Sequence, residues 1–439
     1  MHSPDTDTPR GTPAAAMLNG LTKGMPGNLP DTPLQHIGQR GWNVLREDLP
    51  LPAAVIRQSA LEHNGRWMRQ FVQAHGGLLA PHGKTTMSPE LFARQLADGA
   101  WGMTLATAHQ IQVARHFGIQ RIFLANQLVG RQAIDYVLGQ LRDDAHFDFY
   151  CVVDSPRHVQ TLADAARAAG IGRPLQVLVE IGVPGARAGC RTTAEALDVA
   201  RAVRAQSPWL SLRGVEGFEG ILSNPDPQEL VRQVEAFLAR MLDVAAQCDH
   251  EDLYGDGTVL LTAGGSAFYD LVLKTLGEAR LSRPSAVLTR SGCYLTHDTK
   301  KYRDAQAHLV ARNGGAGADE DGLRPALEVW AYVHSRPEPG RVIVGMGKRD
   351  ISYDDLPAAQ RWHRPGPDAG QPQPLPDTAQ VVRLDDQHCH MRVAPDSPLR
   401  TGDMIQFGIS HPCLTFDKWR AICLVDDDYD VVAAVSTYF

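Results

Sequence analysis

A single lysine, Lys84, follows a short apolar run that ends in proline, histidine and glycine. A lysine at the end of a strand can be partly desolvated, and only its neutral amine is a nucleophile toward an aldehyde. His82 lies two residues earlier, so it would point to the same side of an extended segment and could orient a ligand or transfer protons. The alternatives are a solvated lysine after a buried strand and a packed histidine, because short motifs are weak evidence.

Two other segments carry groups that bind anions. Gly264, Gly265 and Ser266 follow a predicted strand and precede a predicted helix. Glycines let the backbone approach an anion closely, and the N–H groups at a helix N-terminus attract it. Arg187 lies in a loop rich in glycine and proline, where its guanidinium could donate to a carboxylate or a phenolic oxygen. Taken alone, the first segment is more simply an ordinary tight turn, and a surface arginine is an equal alternative for the second.

A histidine and a cysteine near the C-terminus could bind a metal ion. His411 and Cys413 are two residues apart, so both side chains could face one ion from an extended segment. Imidazole and thiolate together suit zinc, and water or a substrate would complete the coordination. His388 and His390 offer the same spacing beside two aspartates. On spacing alone, a chance histidine and cysteine in a β-rich region is the simpler interpretation of the first pair.

Eight βα units must position these residues. Short apolar runs alternate with helical stretches, which indicates parallel strands joined by helical crossovers. Eight such units have the size of a closed (β/α)8 TIM-like barrel, whose active site lies at the C-terminal ends of the strands. An open doubly wound sheet is the alternative, disfavoured because no early Gly-x-Gly-x-x-Gly follows the first strand. The predicted strands lie at 52–56, 78–80, 102–106, 122–125, 147–153, 175–181, 215–221 and 258–262.

The pattern of predicted elements changes in about the last third of the sequence. Short strand patterns without long helices predict a β-rich C-terminal domain, so the fold class is α/β with a second, β-rich part. We predict a mobile N-terminal arm at residues 1–30, the barrel at 31–308 and the β-rich domain at 309–439.

Composition excludes several classes of protein. A formal net charge of −7 argues against a nucleic-acid surface, and no apolar stretch approaches the length needed to cross a bilayer. The N-terminus lacks a basic start followed by an apolar run, so no secretory signal is predicted. The sequence has seven cysteines, an odd number, and no Cys-x-x-Cys motif. This favours a protein of the reducing cytoplasm over one with a disulfide framework.

Several short segments, each weak alone, share an order along the chain that is specific. They are Pro81-His82-Gly83-Lys84-Thr85, Ile122–Gln127, Cys151–Ser155, Val179–Gly182 with Arg187-Ala188-Gly189, Thr262–Ser266, Arg290-Ser291-Gly292-Cys293-Tyr294 and His411-Pro412-Cys413. Through these segments most of the chain, from about Leu51 onward, resembles the D-threonine aldolase and D-serine dehydratase family, which are pyridoxal-phosphate enzymes of the alanine-racemase-like barrel type.

The resemblance implies a pyridoxal 5'-phosphate cofactor held covalently by Lys84, and Zn²⁺ or another divalent metal held by His411 and Cys413. It also implies a homodimer and places His388 beside the active site. The cofactor-binding residues that it implies are Lys84, His82, Asn126, Arg187, Gly264, Gly265, Ser266 and Tyr294. One position departs from the family, because Phe218 stands where many relatives have a tyrosine, so the partner of the cofactor ring nitrogen is unidentified.

The resemblance further implies the reaction class. Dehydratase-type members carry His-x-Cys at 411–413, whereas aldolase-type members tend to carry His-x-Asp, so Cys413 favours dehydration. The expected activity is conversion of a small D-3-hydroxy amino acid, such as D-serine or D-threonine, to a 2-oxo acid and ammonia. Retro-aldol cleavage to glycine and an aldehyde is the first alternative. A non-catalytic pyridoxal-phosphate carrier is the alternative of another class, disfavoured by the long β-rich domain.

Overall fold

Residues 16–30 pack against the rest of the protein. The computed structural model describes residues 16–313, 322–367 and 369–439. Part of the predicted mobile arm, residues 1–15, lies outside the described residues. In the rest of it, Leu18, Met25 and Leu29 are buried in a cluster with Trp330 and Tyr429. Their irregular spacing gives no periodic signal, which is why the sequence alone did not reveal the packing. The first strands are β1 (Met17–Leu18), β2 (Thr32–Pro33) and β3 (Ala53–Arg57).

A parallel sheet of eight strands then forms the barrel. Seven neighbouring pairs are hydrogen-bonded, and the two end strands meet through a parallel bridge between His82 and Thr104. The strands are β4 (Leu78–Leu79), β5 (Met103–Leu105), β6 (Arg121–Gln127), β7 (Asp148–Val153), β8 (Leu175–Ile181), β9 (Leu210–Gly217), β10 (Val259–Ala263) and β11 (Ser285–Thr289).

One helix precedes the first barrel strand, and the others connect successive barrel strands and cover them. Several begin at a residue whose side chain accepts a hydrogen bond from the first turn, such as Thr107, Ser155, Thr192 and Asp226. The helices are α1 (Gln58–Ala74), α2 (Pro89–Ala97), α3 (Ala108–His116), α4 (Arg131–Asp143), α5 (Pro156–Ala169), α6 (Thr193–Ala205), α7 (Pro227–His250) and α8 (Tyr269–Leu276).

The barrel is confirmed, but one of its predicted strands was assigned wrongly and one of its strands was missed. The run at 52–56 belongs to β3, which pairs with strands of the C-terminal sheet and not with the barrel. The eighth barrel strand is β11, which the sequence analysis did not count. A buried apolar run has the same pattern in either sheet, so periodicity could not separate them.

The β-rich C-terminal part is also confirmed. Its antiparallel strands include the long β12, which pairs with β3 on one side and with β18 on the other. The predicted domain boundary at 308/309 falls inside α9. The elements are α9 (Lys301–Arg312), β12 (Leu327–Glu338), β13 (Arg341–Val344), β14 (Ala358–His363), β15 (Gln373–Pro374), β16 (Gln380–Leu384), β17 (Cys389–Arg392), β18 (Met404–Gly408), α10 (Cys413–Phe416), β19 (Ala421–Val425) and β20 (Val431–Ser436).

Separate apolar clusters stabilise the two parts. One cluster fills the space between the barrel strands and their helices, and another packs β12 and its neighbours against α1. Within the described ranges, no helix is both long and apolar enough to cross a membrane.

Candidate active site

Lys84 lies at the C-terminal end of the first barrel strand, in the short 3-10 helix Gly83–Thr85. Its side chain is accessible, while protein groups surround much of it. This burial lowers the pKa of the amine. Arg187 and Arg290 lower it further, although Cys413 acts in the opposite direction. A larger neutral fraction of the amine is the condition for attack on an aldehyde.

His82 faces the same region and stays neutral. Burial lowers its pKa well below the usual value, and the positive charge of Lys84 adds to this effect. Its Nδ1 atom has no hydrogen-bond partner among the described residues. A buried polar atom without a partner is costly, so it is consistent with a position that contacts a ligand.

Two arginines lie at the barrel mouth, one exposed and one buried. Arg290 follows the last barrel strand, is buried and forms an ion pair with Glu216. Arg187 is exposed and lies over the ring of Phe218, with its guanidinium carbon 4.4 Å from the ring centroid. Burial raises the pKa of Glu216, against the effect of Arg290. Phe218 stands where many relatives have a tyrosine, and the face of its ring packs against the guanidinium of Arg187.

The glycine turn differs from the expectation in one respect. Helix α8 begins only at Tyr269, so the turn itself is not the helix N-terminus. The backbone N–H of Gly265 donates to Glu219 Oε1 at 2.8 Å, and Cys293 N donates to Ser266 Oγ at 3.3 Å. The turn thus presents a backbone N–H group to a carboxyl oxygen. Burial raises the pKa of Glu219, whose Oε2 has no partner in the described part of the chain.

Gly264 is required by close packing. A Cβ atom built there would lie 2.6 Å from the backbone nitrogen of Arg290 and 3.0 Å from its Cβ. The absence of a side chain therefore lets the turn lie against the segment that follows β11.

A cluster of three metal-binding side chains lies beside Lys84. His411 and Cys413 are joined by Cys293, and the ligand atoms of all three lie within 4.8 Å of one another. Thr85, the residue after Lys84, connects the two features: its Oγ1 lies 3.5 Å from Cys413 Sγ and 4.0 Å from Cys293 Sγ.

Electrostatics favour a thiolate at Cys413. Hydrogen bonding from Cys293 and the proximity of His411 lower the pKa of Cys413 well below the usual value. The same contact with Cys413 raises the pKa of His411 to about 9, and Asp354 adds to the effect. His411 Nδ1 lies 2.7 Å from Asp354 Oδ2, which leaves Nε2 for an ion. A carboxylate that orients a metal-binding histidine is the usual outer partner at such sites.

The rival histidine pair has a different environment. His390 contacts Arg341 through one ring nitrogen and Asp385 through the other, at 2.8 Å each. His388 lies in an exposed turn, where its carbonyl accepts from Asp385 N. Among the described residues, the group that could share an ion contains His411 and Cys413 but neither His388 nor His390.

Two residues expected at the cofactor make other contacts. Asn126 is exposed and donates to the Ala106 carbonyl at 2.7 Å. Tyr294 is buried in an apolar cluster, where its hydroxyl accepts from Gln95 at 3.3 Å. The structure thus gives Tyr294 a packing role. The sequence analysis gave no role to three residues near the site: Glu219, Arg290 and Cys293. Arg290 and Cys293 lie in a segment that carries the resemblance, but their contacts are with Glu216 and Cys413, which are distant in the chain.

The residues present fit pyridoxal phosphate and a soft metal ion. An accessible amine of lowered pKa suits its aldehyde, and the exposed guanidinium of Arg187 suits its anionic oxygens. The unpartnered His82 Nδ1 offers a polar contact in the same mouth, whereas the N–H of Gly265 is already bonded to Glu219. Imidazole with thiolate suits zinc.

Two family models match the chain in sequence order. The alanine racemase N-terminal domain matches residues 56–255, and a serine dehydratase domain matches residues 326–425. The two matches correspond to the barrel and to the β-rich part.

Individual proteins match over most of the chain. A D-threonine aldolase from Arthrobacter sp is 28% identical over 383 residues, which is 86% of this chain and 89% of that protein. The D-threo-3-hydroxyaspartate dehydratase of Delftia sp. (strain HT23) is 28% identical over 315 residues, or 71% of this chain and 75% of that protein. The crystal structure of D-threonine aldolase from Filomicrobium marinum superposes with a TM-score of 0.72 at 24% identity, covering 90% of this chain and 97% of that one.

Proposed function

Because the chain belongs to the family of alanine-racemase-like barrel enzymes that includes D-threonine aldolases and D-threo-3-hydroxyaspartate dehydratases, we propose that it is a lyase acting on D-3-hydroxy amino acids. In this proposal it uses pyridoxal phosphate and zinc to convert D-serine, D-threonine or a similar substrate to a 2-oxo acid and ammonia. The observation that carries the proposal is Thr85, which follows Lys84 and contacts both Cys413 and Cys293.

In this reaction, three residues of the barrel mouth would have distinct roles. Lys84 would bind the cofactor aldehyde covalently and, once the substrate amine has replaced it, accept the α-proton at Nζ. Arg187 lies beside the same mouth and would bind the substrate carboxylate. His82, held neutral by burial, would orient the cofactor without adding charge. Pyridoxal phosphate, when bound, supplies an electron sink for the carbanion.

The metal cluster would act on the other end of the substrate. His411 and Cys413 would hold an ion that, when bound, supplies Lewis-acid assistance to the β-hydroxyl group. Removal of the α-proton and loss of the hydroxyl together give an enamine, which hydrolyses to the 2-oxo acid and ammonia. A Lewis acid near the β-carbon is needed because hydroxide alone is a poor leaving group.

Retro-aldol cleavage remains the second candidate because the aldolase of Arthrobacter sp matches a longer stretch of the chain than the dehydratase does. In that reaction a base removes the proton of the β-hydroxyl, and the bond between the α- and β-carbons breaks. Cys413 favours dehydration, since the resemblance associates a thiolate at this position with dehydratases.

Product analysis separates the two reactions. Purified protein with pyridoxal phosphate and zinc is expected to release ammonia and a 2-oxo acid from D-serine or D-threonine, with no glycine. The L-enantiomers serve as controls and are expected to give no product, because Lys84 and the metal cluster are fixed relative to the cofactor plane. Glycine and an aldehyde in equal amounts would establish the aldolase instead. No turnover of any D-amino acid in the panel would favour a carrier without catalytic activity.

The pair of Asp354 and His411 offers a test of the metal site that leaves the ligands in place. Asp354→Asn is expected to weaken metal binding by about 10- to 100-fold, because the carboxylate no longer orients the imidazole. Covalent loading of the cofactor should be unchanged. Asp355→Asn is the matched control, since that side chain contacts its own loop at Leu356 N. Metal affinity measured by titration should distinguish them, and equal affinities in the two variants would contradict the proposed role of Asp354.

A further inference from the structure

Cys293 is the part of the metal cluster that the two-residue motif does not contain. It lies 120 residues before Cys413 in the chain, and the two sulfur atoms are 4.0 Å apart. In a tetrahedral zinc site with Zn–S bonds of about 2.3 Å, two sulfur ligands are about 3.8 Å apart. A disulfide would require a separation of about 2.05 Å. The observed distance therefore matches two thiolates that share one ion.

The position of Cys293 is fixed by its neighbours. Its backbone N–H donates to Ser266 Oγ at 3.3 Å, and it begins the 3-10 helix Cys293–Leu295. A Cβ atom on the preceding Gly292 would lie 2.6 Å from both the carbonyl oxygen of His82 and Thr85 Oγ1. The chain is thus packed directly against the segment that carries Lys84, which sets the direction of the Cys293 side chain.

Burial in an apolar core is the ordinary alternative for a cysteine such as Cys293, which is 5% exposed. The other buried cysteines show what that alternative looks like. Cys151, Cys389 and Cys423 each belong to an apolar cluster of the barrel, the C-terminal sheet or the N-terminal packing. Cys293 lies in none of the apolar clusters that the described residues form, and its sulfur contacts the Thr85 hydroxyl and the Cys413 thiol. Its surroundings are those of a ligand.

We propose that Cys293 is the third protein ligand of the ion, together with His411 and Cys413. This inference rests on the metal site of the proposed function. A Cys2His set has the ligand number of a catalytic zinc site, in which three protein ligands leave one position open. That position would be the place where the hydroxyl group of the substrate binds. Two thiolates and a neutral imidazole also balance the charge of a divalent ion and select zinc over harder ions such as magnesium.

Cobalt substitution counts the thiolates directly. The full-length protein, carrying pyridoxal phosphate and kept reduced, is loaded with Co²⁺, and the sulfur-to-cobalt charge-transfer absorption is measured per bound ion. The wild type should show the intensity of two thiolates, and Cys293→Ser and Cys413→Ser should each show about half of it. Loss of an outer partner weakens metal binding by about 10- to 100-fold. The loss of zinc affinity in Cys293→Ser should be larger than this, because a direct ligand is removed. Cys423→Ala, in the apolar packing, is the control and should keep both values.

The possible results distinguish failure of this inference from failure of the metal site in the proposed function. Unchanged cobalt intensity and zinc affinity in Cys293→Ser would overturn the inference while leaving His411 and Cys413 as ligands. Wild-type zinc affinity in both the His411→Ala and Cys413→Ser variants would instead overturn the metal site of the proposed function. X-ray absorption at the zinc edge of the wild type needs no substitution: two sulfur neighbours per ion support a ligand role of Cys293, and one sulfur contradicts it.

Discussion

Lys84→Ala is expected to reduce turnover of D-3-hydroxy amino acids by at least about a thousandfold. A positioned base contributes about 10²- to 10⁴-fold to such reactions, and the substitution also removes the covalent link to the cofactor. The variant should bind pyridoxal phosphate only weakly, and the yellow absorbance of the wild type should be lost. Product release and absorbance are measured on the same samples, so that loss of cofactor and loss of the base can be followed together.

Borohydride reduction identifies the lysine without a substitution. Reduction of the wild type followed by peptide mapping should recover the cofactor on Lys84. Lys274 and Lys348 are exposed lysines on α8 and in the loop after β13, and they serve as internal controls. Lys348→Ala is the matched variant and should keep wild-type turnover. Recovery of the label on Lys274 or Lys348 would remove the basis of the proposed function.

Removal of the metal is expected to stop elimination while the cofactor remains on Lys84. Chelation, His411→Ala and Cys413→Ala should act alike, because each takes away the assistance to the leaving hydroxyl group. Exchange of the α-proton with solvent deuterium should continue, since that step needs only Lys84 and the cofactor. The measurements are metal content, ammonia release and deuterium incorporation into recovered D-serine.

His388→Ala is the matched control for the metal variants, since His388 lies in an exposed turn. It should keep both its metal and its activity. Variants of His411 and Cys413 that lose zinc yet release ammonia at the wild-type rate would disprove the assistance of the metal. Loss of zinc in the His388 and His390 variants alone would show that the other pair holds it.

The sequence predicts those features of the site whose residues are close together in the chain. Lys84 and the pair of His411 and Cys413 could be singled out because the chemistry of each lies within a few positions. The barrel could be predicted because helical and strand patterns alternate along the chain, and that pattern survives the misassignment of β3. The run at 52–56 has the apolar character of a barrel strand, and only its pairing with β12 and β19 reveals the sheet to which it belongs.

Residues brought together by closure of the barrel could not be predicted in this way. Cys293 meets Cys413 because the segment after β11 lies against the end of the C-terminal sheet. Glu219 reaches Gly265 across 46 residues, and its contact depends on the neighbouring order of β9 and β10. Tyr294 follows Cys293 directly but points into the apolar core, because successive residues of a 3-10 turn face different directions.

Strand β3 has a consequence for how the chain is made on the ribosome. Ile56 pairs with Leu327, which follows it by 271 residues, and Val55 pairs with Cys423 near the C-terminus. At a synthesis rate of about 5–20 residues per second, β3 emerges roughly 15 to 55 seconds before its first partner strand. Its apolar residues must stay unpaired during that interval while the barrel strands between them are completed. A ribosome-bound chain stopped before Leu327 should therefore expose β3 to proteolysis and to chaperones, and release of the full chain should protect it.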